Sequence, residues 1–226
     1  MTTLRRLVLV AVVVALATAC LPARKDPAQV TRILVVGDSL MHGAYAAPGI
    51  DDHLPTYFPN AQIISLGGPA SSPMDGYDPN TGWSDWAGQV NHWLYNGFDA
   101  DIIVIQGCCN DFTTAAAWRG SLDAIVSKGR QYDPGGDRRI VMVTTPRIVP
   151  GTGGFWVSYG VDKMIENTNA VIRQYPDVAI ADLDFAWSVN WGPVWDVPGV
   201  GVVRYVDGLH YSTVGAREAA RIVSTT

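Results

Sequence analysis

Charged residues, cysteines and long apolar runs are all scarce in this 226-residue chain. Charged residues make up 16% of it, and acidic residues outnumber basic ones by 21 to 16, which argues against general affinity for nucleic acid or anionic lipid headgroups. Three cysteines are too few for a disulfide-stapled scaffold, and the adjacent Cys108 and Cys109 are poorly placed to bridge separate segments. Hydrophobic residues still form 48% of the chain, which predicts a domain held together by its core.

Residues 1–19 have the composition of an export signal. Arg5 and Arg6 precede an apolar run over 7–16, and small residues follow at 17–19. The apolar run is too short to cross a bilayer comfortably as a permanent helix, since such a helix needs about 20 residues. We therefore predict that 1–19 is a signal peptide and that the chain is exported.

Cys20 directly follows Ala17-Thr18-Ala19, and this junction resembles the lipobox of bacterial lipoproteins, in which the cysteine is acylated and becomes the new N-terminus. Ala17 stands where leucine is commoner in that motif, and the same Ala-x-Ala pattern fits ordinary signal cleavage. We expect lipidation at Cys20, with 20–31 as the lipidated N-terminus and tether, and contact with the membrane only through this anchor. A freely secreted product is the alternative.

Short apolar runs alternate with helical patterns over 32–226, which is typical of strand-helix units that build a parallel sheet. Four of the five runs are continuous and β-branched, as expected for strands covered by helices on both faces. The predicted strands lie near Ile33–Val36, Gln62–Leu66, Ile102–Gln106, Ile140–Thr144 and Val178–Leu183. The pattern predicts one α/β domain over 32–226, a three-layer α/β/α sandwich with a mostly five-stranded parallel sheet.

Apolar side chains at the spacing of one helix face predict three helices in the same region, and a capping residue predicts a fourth. In such folds, ligands bind beyond the C-terminal ends of the strands, near the point where the strand order reverses. The predicted helices are marked by Trp86, Val90, Trp93 and Leu94, ended by Gly97; by Trp118, Leu122, Ile125 and Val126; by Met164, Ile165, Val171 and Ile172; and by a cap at Ser212 with a helix running to about Val223.

Candidate catalytic residues follow the predicted strands. The first strand runs into Gly37-Asp38-Ser39-Leu40, where Ser39 either exposes its hydroxyl or simply caps a helix. A neutral hydroxyl needs a base, and His210 differs from the other histidines in following an acidic residue, Asp207, by three positions. The alternative for this pair is a solvated surface turn. His42 lies closer to Ser39 in sequence but has no acid at comparable spacing.

The third predicted strand ends in Gly107-Cys108-Cys109-Asn110-Asp111. Asn110 can donate to an oxyanion, or it can serve as a turn or cap residue. Three strand ends thus offer a nucleophile, a base with an orienting acid, and an oxyanion donor. Cys108 and Cys109 have no further Cys/His set at ligand spacing, so we expect no metal site, and we predict that both are small, semi-buried hydrophobes beside the site.

These motifs together resemble the SGNH, or GDSL-type, hydrolase family, and the resemblance spans 32–226. It implies a flavodoxin-like sheet with Ser39 as nucleophile, His210 as general base and Asp207 as the partner that orients it. It also implies an oxyanion hole made by the Ser39 backbone N–H, a backbone N–H of the family's second block and the Asn110 side chain. Neither a cofactor nor a metal is implied.

Two departures from the family pattern affect the expected oxyanion hole. The third block usually reads Gly-x-Asn-Asp, but here Cys108 takes the glycine's place. In the second block, Ser65-Leu66-Gly67-Gly68-Pro69-Ala70, Ala70 stands where the family has its oxyanion glycine. Ala70 is the expected donor and Gly68 the alternative, whereas Pro69 has no N–H. The Gly-x-Ser-x-Gly elbow of α/β-hydrolases is absent, because Met41 replaces its second glycine.

The implied activity is that of an exported serine esterase that works through an acyl-serine intermediate. Trp187, Trp191 and Trp195 cluster in a long irregular stretch that either forms one wall of a pocket or packs onto the core. Aromatic faces suit sugar rings and acyl chains, so we expect a small-molecule or carbohydrate ester, with small acyl groups on a carbohydrate or cell-envelope molecule. The alternatives are an acyltransferase with the same triad and a non-catalytic envelope lipoprotein.

Overall fold

Five strands form a parallel sheet in the order β2-β1-β3-β4-β5. The computed structural model describes residues 30–44, 46–68, 85–108, 110, 114–148, 160–189, 192–193 and 195–226. The strands of the sheet are β1 (Arg32–Gly37), β2 (Gln62–Gly67), β3 (Ile102–Gln106), β4 (Arg139–Val143) and β5 (Ala179–Ala181). The predicted five-stranded parallel sheet is confirmed.

Helices surround this sheet in the order expected for strand-helix units, and the four predicted helices are present. They are α1 (Ser39–His42), α2 (Leu54–Tyr57), α3 (Trp86–Tyr95), α4 (Ala115–Gln131), α5 (Val161–Arg173), α6 (Leu183–Ala186) and α7 (Thr213–Thr225). The predicted cap of the last helix is observed, because the Ser212 side chain accepts a hydrogen bond from the Gly215 N–H at 3.0 Å.

Helices cover both faces of the sheet, which is why its strands other than β2 are apolar without alternation. Ile33 points to the face covered by α2 and α7, whereas Leu34 points to the face covered by α3 and α4. Helix α5 contributes to both sides, with Ile165 in the first cluster and Ile172 in the second. The predicted three-layer α/β/α sandwich is therefore confirmed.

Two predictions for the C-terminal third differ from the structure. Strand β5 ends at Ala181 rather than Leu183, because Asp182 caps α6 by accepting from the Phe185 N–H at 3.1 Å. The tryptophan-rich stretch is not irregular throughout. It contains two short antiparallel pairs, β6 (Ser188–Val189) with β7 (Gly192–Pro193), and β8 (Asp196–Val197) with β9 (Gly201–Val202).

The strand order reverses direction between β1 and β3, which are neighbours in the sheet although β2 lies between them in the chain. Crevices at such points, beyond the C-terminal strand ends, are where ligands bind in open α/β sheets. Ser39 follows β1 and Asn110 follows β3, so the fold places both residues at this edge. Within the described ranges, no helix combines the length and the apolar character needed to span a bilayer.

Candidate active site

Two hydrogen bonds connect Ser39, His210 and Asp207. The Ser39 Oγ lies 2.9 Å from the His210 Nε2, and the His210 Nδ1 lies 2.5 Å from the Asp207 Oδ2. Ser39 is 8% exposed and His210 is 2% exposed, so the contact is largely shielded from water. In this arrangement His210 can take the hydroxyl proton while Asp207 holds the ring in the required tautomer.

The Ser39 hydroxyl is positioned by the turn between β1 and α1. Asp38 caps α1 by accepting from the Leu40 N–H at 2.9 Å through Oδ1, and its Oδ2 accepts from the Cys108 N–H at 3.0 Å. Burial raises the pKa of Asp38, although these two N–H donors work in the opposite direction. One buried carboxyl group thus joins the nucleophile turn to the end of β3.

The structure shows why the Gly37-Asp38-Ser39-Leu40 motif begins with a glycine. A Cβ atom at this position would clash with the Met41 side chain on one side and the Gln106 carbonyl oxygen on the other. Because the strands and α1 approach so closely here, a larger residue would push α1 away from the sheet. The glycine therefore keeps α1, whose first residue is Ser39, close to the sheet.

The Asp207–His210 turn holds the base and its acid in one unit. The Asp207 Oδ1 accepts from the N–H groups of Leu209 and His210, both at 3.0 Å, and Gly208 adopts a positive φ of 75°. Burial works to raise the pKa of Asp207, but the hydrogen bond and charge of the His210 ring and these N–H donors outweigh it and hold that pKa below its usual range. The carboxyl group stays ionised, which the orienting role requires.

Arg204 anchors this turn from inside the protein, and sequence reasoning missed it. Its guanidinium donates to the carbonyl oxygens of Leu209, Pro146 and Arg147, each at 2.6 Å. Arg204 is 3% exposed, and burial lowers its pKa to about 10. The one feature of the sequence that could have indicated its burial is its position directly after the apolar pair Val202 and Val203. Arg204 ties the backbone beside His210 to the segment that follows β4.

The structure describes part of the expected oxyanion hole. Asn110 is exposed and follows β3, the strand that lies beside β1 in the sheet. The N–H of Gly68, the alternative second-block donor, donates to the Gly37 carbonyl at 3.1 Å, and the Gly67 N–H donates to the Gln89 Oε1 at 2.8 Å. Both amides have protein acceptors. The preferred donor, Ala70, lies outside the described residues.

Cys108 differs from the expected small, semi-buried hydrophobe. It is fully buried and forms a disulfide bond. The chain's two other cysteines, Cys20 and Cys109, both lie outside the described residues. Among the residues that the structure does describe, no group of three or more His, Cys, Asp or Glu side chains could hold a metal ion.

His42 has an acidic partner that sequence spacing did not suggest. Its Nδ1 lies 2.7 Å from the Asp51 Oδ2, nine residues further along the chain. Its Nε2 lies 2.8 Å from the Leu66 carbonyl oxygen. Both ring nitrogens of His42 are therefore engaged with groups other than the Ser39 hydroxyl, and the base position beside that hydroxyl is filled by His210.

Trp187 packs onto the core. It is 3% exposed and meets the buried Tyr211 ring edge-on at a centroid distance of 5.4 Å. The tryptophan cluster was predicted either to form one wall of a pocket or to pack onto the core, and Trp187 does the second. Trp195 is half-buried, and Trp191 lies outside the described residues.

The fold is shared with solved structures of ester hydrolases and of an acetyltransferase domain. A lipase/acylhydrolase from Enterococcus faecalis has a TM-score of 0.62 and 18% identity, covering 87% of this chain and 94% of that one. A carbohydrate acetylesterase from Sinorhizobium meliloti has a TM-score of 0.60 and 15% identity, covering 86% of this chain and 97% of that one.

The periplasmic domain of a lipopolysaccharide acetyltransferase from Salmonella ser. Paratyphi A has a TM-score of 0.61 and 14% identity, covering 93% of this chain and 87% of that one. No protein-family model and no curated protein matches the sequence. The chain thus has the fold of the SGNH/GDSL hydrolases, and the resemblance drawn from its motifs is confirmed at the level of the fold.

Proposed function

We propose that the chain is a serine esterase of the SGNH/GDSL type that hydrolyses a carboxylic ester through an acyl-serine intermediate. The observation that carries this proposal is the hydrogen-bonded series from the Ser39 hydroxyl through the His210 ring to the Asp207 carboxylate. A serine at a turn after a strand has many structural uses. Here the buried serine hydroxyl faces an imidazole, and a carboxylate holds that imidazole from the other side. This arrangement activates the serine as a nucleophile.

The proposed reaction begins with attack of the Ser39 Oγ on the ester carbonyl carbon, while the His210 Nε2 takes the hydroxyl proton. The negative charge on the carbonyl oxygen is stabilised by the Ser39 N–H, the Asn110 side chain and the Ala70 N–H. His210 then protonates the departing alcohol. In the second half, His210 takes a proton from water, the resulting hydroxide attacks the acyl group, and the acid leaves as Ser39 regains its proton.

We propose a small acyl group on a carbohydrate or cell-envelope molecule as the ester. The fold likeness to a carbohydrate acetylesterase supports this choice. Trp187 of the tryptophan cluster adds no support, because it belongs to the core. The composition of 1–19 and the junction before Cys20 support export and attachment through a lipid on Cys20.

Labelling with a fluorophosphonate tests the proposal directly, because only an activated serine reacts with it. We expect mass spectrometry of the labelled wild-type protein to locate the adduct on Ser39. Ser39→Ala should abolish labelling, and Ser127→Ala should leave it unchanged, since Ser127 is exposed on α4. Absence of an adduct on Ser39 in the folded wild-type protein would refute the proposal.

The acyl group is tested with p-nitrophenyl esters from acetate to decanoate. We expect kcat/KM to be highest for acetate and to fall as the acyl chain lengthens. A preference for long chains would replace the small-acyl proposal with a lipase-like one.

An acyltransferase using the same triad is a second candidate, favoured by the fold likeness to the acetyltransferase domain over 93% of this chain. In that case an acceptor alcohol, rather than water, would attack the acyl-serine. Product analysis with a sugar acceptor at increasing concentration separates the two candidates. A constant yield of free acid supports the esterase, whereas its replacement by acylated sugar supports the transferase.

A further inference from the structure

His42 lies between two hydrogen-bond acceptors on different parts of the chain. Its Nδ1 is 2.7 Å from the Asp51 carboxylate, and its Nε2 is 2.8 Å from the carbonyl oxygen of Leu66. The Ser65 hydroxyl donates to the same Asp51 oxygen at 2.8 Å. A carboxylate and a carbonyl can only accept, so the ring satisfies both of them only when both nitrogens carry a proton.

The position of His42 makes this pair of contacts relevant to the reaction. His42 is the last residue of α1, three residues after Ser39, and Leu66 directly precedes Gly67 and Gly68 in the second block. The segment that carries Asp51 is itself attached to α1, because the Asp51 N–H donates to the Met41 carbonyl at 3.1 Å. The ring therefore connects the helix of the nucleophile to the strand end that leads into Ala70, the proposed second-block donor.

The surroundings of His42 favour its charged form. Among the described residues, the charged groups that face it are Asp51 and, at the start of α1, Asp38, while β2 contributes the Ser65 hydroxyl and the Leu66 carbonyl. Burial works to lower the pKa of His42, but the hydrogen bond and charge of Asp51, the Leu66 carbonyl and the charge of Asp38 outweigh it, and the pKa is raised.

We propose that the imidazolium form of His42 positions the second block relative to Ser39, so that loss of its proton sets the alkaline limit of turnover. This inference rests on the proposed esterase function. A neutral ring has only one N–H. If Nδ1 loses its proton, its lone pair faces the Asp51 carboxylate, and if Nε2 loses its proton, its lone pair faces the Leu66 carbonyl. In either case one of the two hydrogen bonds is lost. The contact holds below the raised pKa of His42 and fails as the pH rises through it.

The expected profile of kcat/KM against pH has a falling limb at its alkaline end. The value of kcat/KM falls there as His42 loses its proton, because a second-block donor displaced from the oxyanion costs turnover by roughly 10- to 100-fold. His42 touches no reacting atom in this scheme, so it is a positioning residue.

Profiles for p-nitrophenyl acetate with three variants test this assignment. Asp51→Asn removes the carboxylate that favours the charged ring, so the falling limb should move to lower pH by about one unit or more. His42→Gln should lower kcat/KM and remove the falling limb, because glutamine does not titrate. His92→Gln is the matched control, since His92 lines a cavity with Arg32 and Gln62 at the opposite end of the strands, and it should keep the falling limb at the wild-type pH.

Imidazole ¹⁵N NMR of the wild-type protein gives a readout that needs no variant to fold. We expect both nitrogens of His42 to be protonated at neutral pH and to titrate over the range in which kcat/KM falls. A neutral His42 ring at neutral pH, or a falling limb that is the same in wild type and His42→Gln, would overturn the inference alone. A folded wild-type protein without esterase activity at any pH would refute the proposed function and this inference with it.

Discussion

Replacing Asp207 by asparagine should inactivate the protein through the tautomer of His210 rather than through loss of structure. The Asp207 Oδ1 accepts from two backbone N–H groups at 3.0 Å, and these donors also fit the carbonyl oxygen of an asparagine. The amide NH₂ is then forced toward the His210 Nδ1, which must accept in place of donating. The proton moves to Nε2, and the ring can no longer take the proton of Ser39.

The expected loss in kcat is about 10⁴-fold, the size seen when a triad histidine is held in the wrong tautomer. This corresponds to roughly 5.5 kcal/mol of transition-state stabilisation. Steady-state hydrolysis of p-nitrophenyl acetate measures it, with thermal unfolding of the same preparation to show that the fold is kept. Asp196→Asn is the control, because Asp196 is exposed on β8 and should retain full activity. An Asp207→Asn variant with more than about a tenth of wild-type kcat would refute the reasoning.

Four further predictions probe the remaining parts of the proposal. Ser39→Ala, His210→Ala and the double variant should be nearly equally inactive, because a nucleophile and its base act as one unit, and clear turnover by His210→Ala above that of Ser39→Ala would point to another base. Asn110→Ala should lower kcat by roughly 10²- to 10³-fold with KM little changed, whereas a destabilised but fully active variant would remove Asn110 from the site. Cys20→Ala should move the protein from the membrane fraction to the soluble one with unchanged activity, and continued sedimentation with membranes would exclude the anchor. Arg204→Met should lower the free energy of unfolding in urea by about 3 kcal/mol, since three buried carbonyl groups each lose a donor, and a loss under about 1 kcal/mol would contradict the anchoring role.

The sheet could be predicted because its signal is local. Runs such as 33–36 and 102–106 are apolar without alternation, and each is long enough to form a strand of a sheet that helices cover on both faces. The helices of four residues, such as α2 and α6, were not predicted, since a single turn carries too few apolar positions to show a period. Strand β5 was predicted too long for a related reason, because apolar Leu183 continues the run while the cap at Asp182 ends it.

The contacts of the proposed site divide in the same way. Ser39 and the Asp207–His210 pair were predicted from motifs in which neighbouring residues act together. Arg204 and His42 were not, because their partners are fixed only when the chain has folded back on itself. Arg204 reaches backbone carbonyls 57 and 58 positions away, and no side chain identifies a carbonyl acceptor in a sequence. The disulfide of Cys108 was missed because its fully buried, bonded state is invisible to spacing arguments.

Strand β1 enters the sheet at Arg32 and delivers Ser39 at the opposite edge, about 20 Å away for a strand of this length. The proposed tether over 20–31 cannot exceed about 40 Å even when fully extended. A protein held by a lipid on Cys20 would therefore be fastened by the edge remote from its catalytic groups. The proposed catalytic groups would then lie on the side of the domain remote from the attachment point, within a few tens of ångströms of the membrane surface. Polymers of the surrounding envelope would meet them there more readily than lipids of the anchoring leaflet would.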